Sequence, residues 1–181
     1  MISRLRFLTV GCIVPFAAAC AGSQPAGLDG EAVRQLLISG FEQNKAHDVD
    51  VARAIPDSAL RWAPNDEVRD FAEQVEHTAN MLWLAGYTLG ETPASVGDTA
   101  VYLNDKEALA TAVTQWYDTV IAGIRSIPAQ GLLEEVDFFG GQRSQRWRIY
   151  LFGLQHALWT RGQLVPYFRA HGLVPPAFRA F

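Results

Sequence analysis

Hydrophobic positions fall into four long stretches with helical spacing, separated by Pro- and Gly-rich breaks, and no stretch alternates convincingly enough to predict a strand. The first stretch runs from about Gly30 to Ile55. Val33, Leu37, Gly40, Asn44, His47 and Val51 share one stripe, widened by Leu36 and Phe41, and Pro56 stops it. The second starts near Asp70, which with Glu73 has capping-box spacing, and carries Phe71, Val75, Thr78, Leu82 and Ala85 up to Gly90 and Pro93. The third begins at Asn104, with Glu107 three residues on, and buries Leu109, Val113, Trp116, Val120, Gly123 and Ile127 before Pro128. A loop holding Phe138, Phe139, Gly140 and Gly141 leads to the fourth, from about Ser144 to His171, with Gly172 as its left-handed stop. This last stretch is apolar nearly all round, with Trp147, Leu151, Leu154, Leu158 and Val165 on one stripe and Ile149, Phe152 and Trp159 elsewhere. It is therefore expected at the centre of an all-α, antiparallel four-helix bundle.

Polar residues inside apolar stripes need a reason, because an unpaired buried polar group costs about 1–3 kcal/mol. His156, Thr160, Gln163 and Tyr167 form one polar ridge on the fourth helix, His77 flanks the apolar arc of the second, and Asn44 and His47 interrupt the first. If the bundle closes, His77, His156 and His47 face a common cavity. Imidazoles from facing helices can hold a divalent metal, and three protein ligands plus a water would make an open, catalytic site. The bland alternative is that each histidine is a hydrogen-bonded core or surface residue, and it is strongest for His47. Trp83, Trp116, Trp147 and Trp159 read as core or rim packing. Arg143, Arg146 and Arg148 read as a solvated face pairing with Glu134, Glu135 or Asp137.

Composition narrows the class without adding chemistry. The 181 residues are 49% hydrophobic and 19% charged, which suits one globular domain and excludes disorder. Two lysines and a net charge of −4 leave no basic patch for nucleic acid. The N-terminus stands apart. Arg4 and Arg6 precede an apolar run from Phe7 to Phe16, too short to span a bilayer, and then Ala17, Ala18, Ala19 and Cys20. This predicts a signal peptide over residues 1–20, a linker over 21–29 and the domain over 30–181. Cys20 is then the lipidated residue of an envelope lipoprotein, and membrane contact comes only through that anchor; simple secretion is the other outcome. Removing residues 1–19 takes away Arg4 and Arg6 and no acid, moving the net charge from −4 to −6. Cys12 and Cys20 are the two cysteines, so the mature domain carries no disulfide framework. No phosphate-binding loop or serine nucleophile elbow is present.

Three stretches resemble the DinB/YfiT-like superfamily: Ile55 and Pro56 through Leu60-Arg61-Trp62-Ala63-Pro64; Phe71 to His77; and, most specifically, His156 to Pro176, with Arg161-Gly162-Gln163 inside it. The resemblance covers residues from about 30 to 178. It implies a bundle holding zinc or nickel on three histidines, one on the second helix and two spaced four apart on the last. His77 and His156 match two of these positions, while Thr160 stands at the third. Threonine is a poor ligand for either ion. The metal site is then lost, or weak with two histidines and waters, or completed by another ligand. His47 is the best-placed candidate by helical phase, whereas Glu76 projects from another side of its helix. Gly162 reads as a close-packing residue, and Arg161 and Gln163 as hydrogen-bonding supports. Two functions stay open: a cavity lined by Thr160, Gln163, Tyr167 and Asn44 that binds a small molecule or an envelope protein, or a metal-dependent transferase or hydrolase using His77 and His156. Some relatives activate small thiols with a metal, a chemistry that an oxidising exported location disfavours. Small bundles commonly form homodimers, but no exposed heptad seam predicts one here.

Overall fold

The computed structural model describes residues 27–94 and 96–179, so the signal-peptide and Cys20 lipidation expectations lie outside the described residues. The chain is mostly helical. Helix α1 (Gly30–Ala54) is capped by the Asp29 carboxylate, which accepts from the Glu31 amide. It packs most extensively against α5 (Lys106–Ser126) and also meets α6 (Arg146–Gly162) and α2 (Phe71–Ala79). Phe41, Phe71, Trp116, Tyr117, Ile121, Ile124 and Tyr150 fill the space between them at under 2% exposure, which makes this the core. Among the described residues no helix is long and apolar enough to cross a membrane.

Several boundaries differ from those expected, each for a local reason. The Asp70/Glu73 capping box forms in both directions, but the second helix is broken: α2 ends at Ala79, and α3 (Leu84–Thr88) follows. Asn80 is the break, with φ −78° and ψ 86°, a position where asparagine competes poorly as a helix former. A short α4 (Thr99–Tyr102) precedes α5, whose cap is Asp105 rather than Asn104; the Asp105 carboxylate accepts from the Ala108 amide. The Asn104 side chain instead donates to the Ala100 carbonyl.

The Phe138–Gly141 region is not an irregular loop. Strands β1 (Glu135–Phe138) and β2 (Gln142–Gln145) pair antiparallel, with Val136 opposite Ser144. Gly140 and Gly141, at φ 67° and 77°, make the reversal that residues with a Cβ resist. The last helix is also split, into α6 and α7 (Val165–Ala170). Pro166 lacks an N–H and its ring would clash with the carbonyl four residues back, so an unbroken helix cannot pass through it. Gly172, at φ 69°, closes the segment as expected.

Helix α6 is not sheathed on all sides. Ile149, Tyr150, Gly153, Ala157, Thr160 and Arg161 face the core, while Leu151, Phe152, Leu158 and Trp159 are exposed, Trp159 at 77%. Trp159 is therefore surface rather than core or rim; Trp116 is fully buried, and Trp83 and Trp147 are half-buried. Close approach falls at Gly40 and Gly153, where a Cβ would lie 2.9 Å from Leu154 and 2.7 Å from Leu84. Gly162 does not share that role: a Cβ there would meet nothing within 4 Å. The arginine face behaves as expected, with Arg143 near Glu135 and Asp137, Arg146 on Glu134, and Arg148 over the Trp147 ring.

Candidate functional site

Two of the histidines meet. His77 lies in the last turn of α2 and His156 in the middle of α6, and these helices pack directly. Their rings stand 5.0 Å apart between centroids, edge to face at 77°. Both are half-buried. Burial lowers both pKa values, the nearby positive charge of Arg69 lowers them further, and His156 adds to the effect on His77. Both imidazoles are therefore neutral near pH 7. Nδ1 of His156 is buried and has no hydrogen-bond partner among the described residues.

Thr160, at the position where a third histidine is implied, does not offer its hydroxyl to the pair. Its Oγ1 donates to the His156 carbonyl at 2.7 Å, the usual way a buried helical threonine satisfies itself. The Thr160 carbonyl accepts from Gln74 Nε2 at 3.2 Å, and the same amide donates to Gln163 Oε1. Gln163 thus acts as a hydrogen-bonding support between α2 and α6. Tyr167 donates to the Arg69 carbonyl at 2.6 Å and fixes the backbone just ahead of α2.

His47 does not join them. It is buried on α1 against Arg161 and lines a different cavity of about 390 Å³ between α1 and α6, with Asn44, Leu158 and Phe178. Burial lowers its pKa, and Arg161 and Arg179 add to this while Asp50 opposes it. The expected single cavity is therefore three. Asn44 and His47 line the α1–α6 cavity; Gln163 and Tyr167 line a cleft with Pro64 and Gln74; His77 lines a third. Thr160 is buried at 3% exposure and lines none of these.

The third cleft, about 590 Å³, brings Arg69, Glu76, His77, Asn80, Trp83 and Thr92 together. Trp83 stands 6.5 Å from the His156 ring and packs against Phe139, Phe152 and Tyr87 at 5.8, 6.1 and 6.2 Å. Glu76 is occupied: its Oε1 accepts from the Tyr102 hydroxyl at 2.6 Å. Arg69 makes no ion pair among the described residues. Neither Arg69 nor Trp83 breaks a helical stripe, so spacing alone does not single them out as site residues.

A second buried polar group also went unnoticed. Asp48 accepts from Tyr117 at 2.6 Å and from Arg161 at 2.8 Å, and Arg161 donates in turn to Asn44 Oδ1 at 2.7 Å. Burial raises the Asp48 carboxyl against the opposing pull of Arg161 and Tyr117. Asp48 lies on the inward stripe of α1, seven residues after Phe41 and four after Asn44, and a carboxylate there signals a buried partner.

Three-ligand metal binding does not fit this donor set. Two imidazoles are present, the third seat holds a hydroxyl already committed to a carbonyl, and an arginine charge bears on both rings. Among the described residues no group of three His, Cys, Asp or Glu side chains is placed to share a metal ion.

The DinB superfamily model matches residues 41–163. A crystal structure of a DinB-like protein from Bacillus cereus ATCC 10987 superposes with a TM-score of 0.68 at 14% identity, covering 80% of this chain and 97% of that one. A DinB-like protein from Bacillus subtilis, YjoA, superposes with a TM-score of 0.62 at 18% identity, covering 79% and 96%. No curated protein matches the sequence. With the family model spanning α1 to α6 and both structures sharing its fold, the chain belongs to the DinB superfamily.

Proposed function

We propose that this protein is an exported, DinB-fold small-ligand-binding protein, anchored at Cys20, in which the metal triad is reduced to the His77–His156 pair. The observation that carries this reading is the Thr160 hydroxyl, turned onto the His156 carbonyl at 2.7 Å where a third imidazole would stand. The His77 imidazole in a cleft with an arginine, an amide and an indole suits recognition of a small polar molecule. Pairwise packing of α1, α2 with α3, α5 and α6 supports an antiparallel four-helix bundle as the scaffold. Export and lipidation rest on the N-terminal sequence pattern: two arginines, a short apolar run, and small residues before Cys20.

Metal analysis of the protein purified without an affinity tag tests the reading. The expected result is substoichiometric zinc and nickel, unchanged by His77→Ala. Stoichiometric metal that disappears in His77→Ala contradicts it. A second reading, a metal-dependent transferase or hydrolase, is favoured by one feature: Nδ1 of His156 is buried without a partner beside a second imidazole. That metal would need a further ligand from the substrate or from water, since His47 lines another cavity.

A further inference from the structure

We propose that the cleft beside the histidine pair binds an aromatic carboxylate, its charge on Arg69 and the His77 imidazole and its ring on Trp83. The proposal rests on the ligand-binding reading above and names the ligand class.

The polar end is built for a monoanion. Arg69 is the cation lining the cleft, and its planar fork matches the two oxygens of a carboxylate. His77 lines the same cleft and offers a ring nitrogen to the ligand. Glu76 shares the cleft, with its Oε1 turned to the Tyr102 hydroxyl at 2.6 Å. A phosphate dianion would bring a second charge with no second cation to meet it. The backbone of Arg69 is fixed from behind by the Tyr167 hydroxyl, so its side chain leaves the chain at a set point.

The apolar end is a supported indole. Trp83 lines the cleft on one side and is braced on the other by Phe139, Phe152 and Tyr87. Its ring also stands 6.5 Å from that of His156, so the aromatic wall continues up to the imidazole pair. A ring held there gains offset or edge contacts with indole while its carboxylate reaches the arginine. A cleft of about 590 Å³ accommodates a molecule of that size.

Calorimetric titration with phenylacetate, acetate, benzyl alcohol and phenyl phosphate separates the two ends. Phenylacetate should bind at least about tenfold more tightly than acetate or benzyl alcohol, since each lacks one contact, and more tightly than phenyl phosphate. Arg69→Gln and Trp83→Leu should each weaken phenylacetate about tenfold or more, with circular dichroism unchanged, while Arg125→Gln, on α5 beside Glu42 of α1, leaves it unaltered. Equal binding of acetate and phenylacetate, no effect of Arg69→Gln, or no binding at millimolar concentration overturns the proposal. A parallel zinc titration of the same protein distinguishes the two levels. Tight one-to-one zinc overturns the reading it rests on; weak zinc with no phenylacetate binding overturns this inference alone.

Discussion

Asp48→Ala is the sharpest test of how the helices are held together. Asp48 is 1% exposed and takes hydrogen bonds from Tyr117 at 2.6 Å and Arg161 at 2.8 Å. The substitution leaves the Arg161 guanidinium, itself 8% exposed, with Asn44 as its remaining partner, and leaves a buried phenol unpaired. Removing one member of a buried ion pair costs about 3–5 kcal/mol, because the other charge stays desolvated. At about 2–4 °C per kcal/mol for a domain of this size, the unfolding midpoint should fall by roughly 6–20 °C. Urea denaturation followed by circular dichroism gives the free energy directly, and the slope should stay unchanged if only stability moves. The double variant Asp48→Leu with Arg161→Met removes both charges and should recover most of the loss, because hydrophobic replacement of a buried pair is often neutral. A loss below about 1 kcal/mol in Asp48→Ala would refute the buried network, since that is the range of an exposed pair.

Other consequences follow from the same geometry. His47 has a lowered pKa in the fold, so the unfolded chain binds its proton first as pH falls; stability therefore drops from about pH 7 downwards. His47→Gln should flatten that drop in part, leaving the contributions of His77 and His156, and an identical pH–stability curve would contradict its burial beside Arg161. Gly153→Val pushes atoms towards Leu84, already 2.7 Å from an added Cβ, and should cost about 1–3 kcal/mol by overpacking in thermal unfolding; no change would mean α3 and α6 are looser than described. Trp159→Gln, at a ring 77% exposed, should alter stability by less than about 0.5 kcal/mol, and a larger loss would show that the side chain is covered in solution.

What the sequence made legible was set by how local each signal is. The extent of α1 and the Asp70/Glu73 box follow from short-range capping and from Pro56, and both appear as expected. The meeting of His77 and His156 was readable because each sits beside the apolar arc of its own helix. The hairpin was missed although Glu135, Val136, Asp137 and Phe138 alternate in burial, because four residues carry too little pattern to outweigh the neighbouring helices. Pro166 marked the α6–α7 break, but the continuing apolar spacing masked it. Helical phase placed His47 on the inward side of α1 correctly; which cavity that side meets depends on how α1 packs on α6, and no local spacing encodes that. Apolar residues all round α6 suggested full burial, yet Leu158 and Trp159 face outwards. Composition around a helix cannot say how many neighbours it has.

The account stands on Thr160 occupying the seat of a third imidazole, beside two that already face one another. A competition titration of zinc into the wild type and into Thr160→His, side by side, tests this most directly. Weak binding by the wild type and tight one-to-one binding by Thr160→His is the predicted result. Tight one-to-one zinc in the wild type, or no gain in Thr160→His, would contradict it.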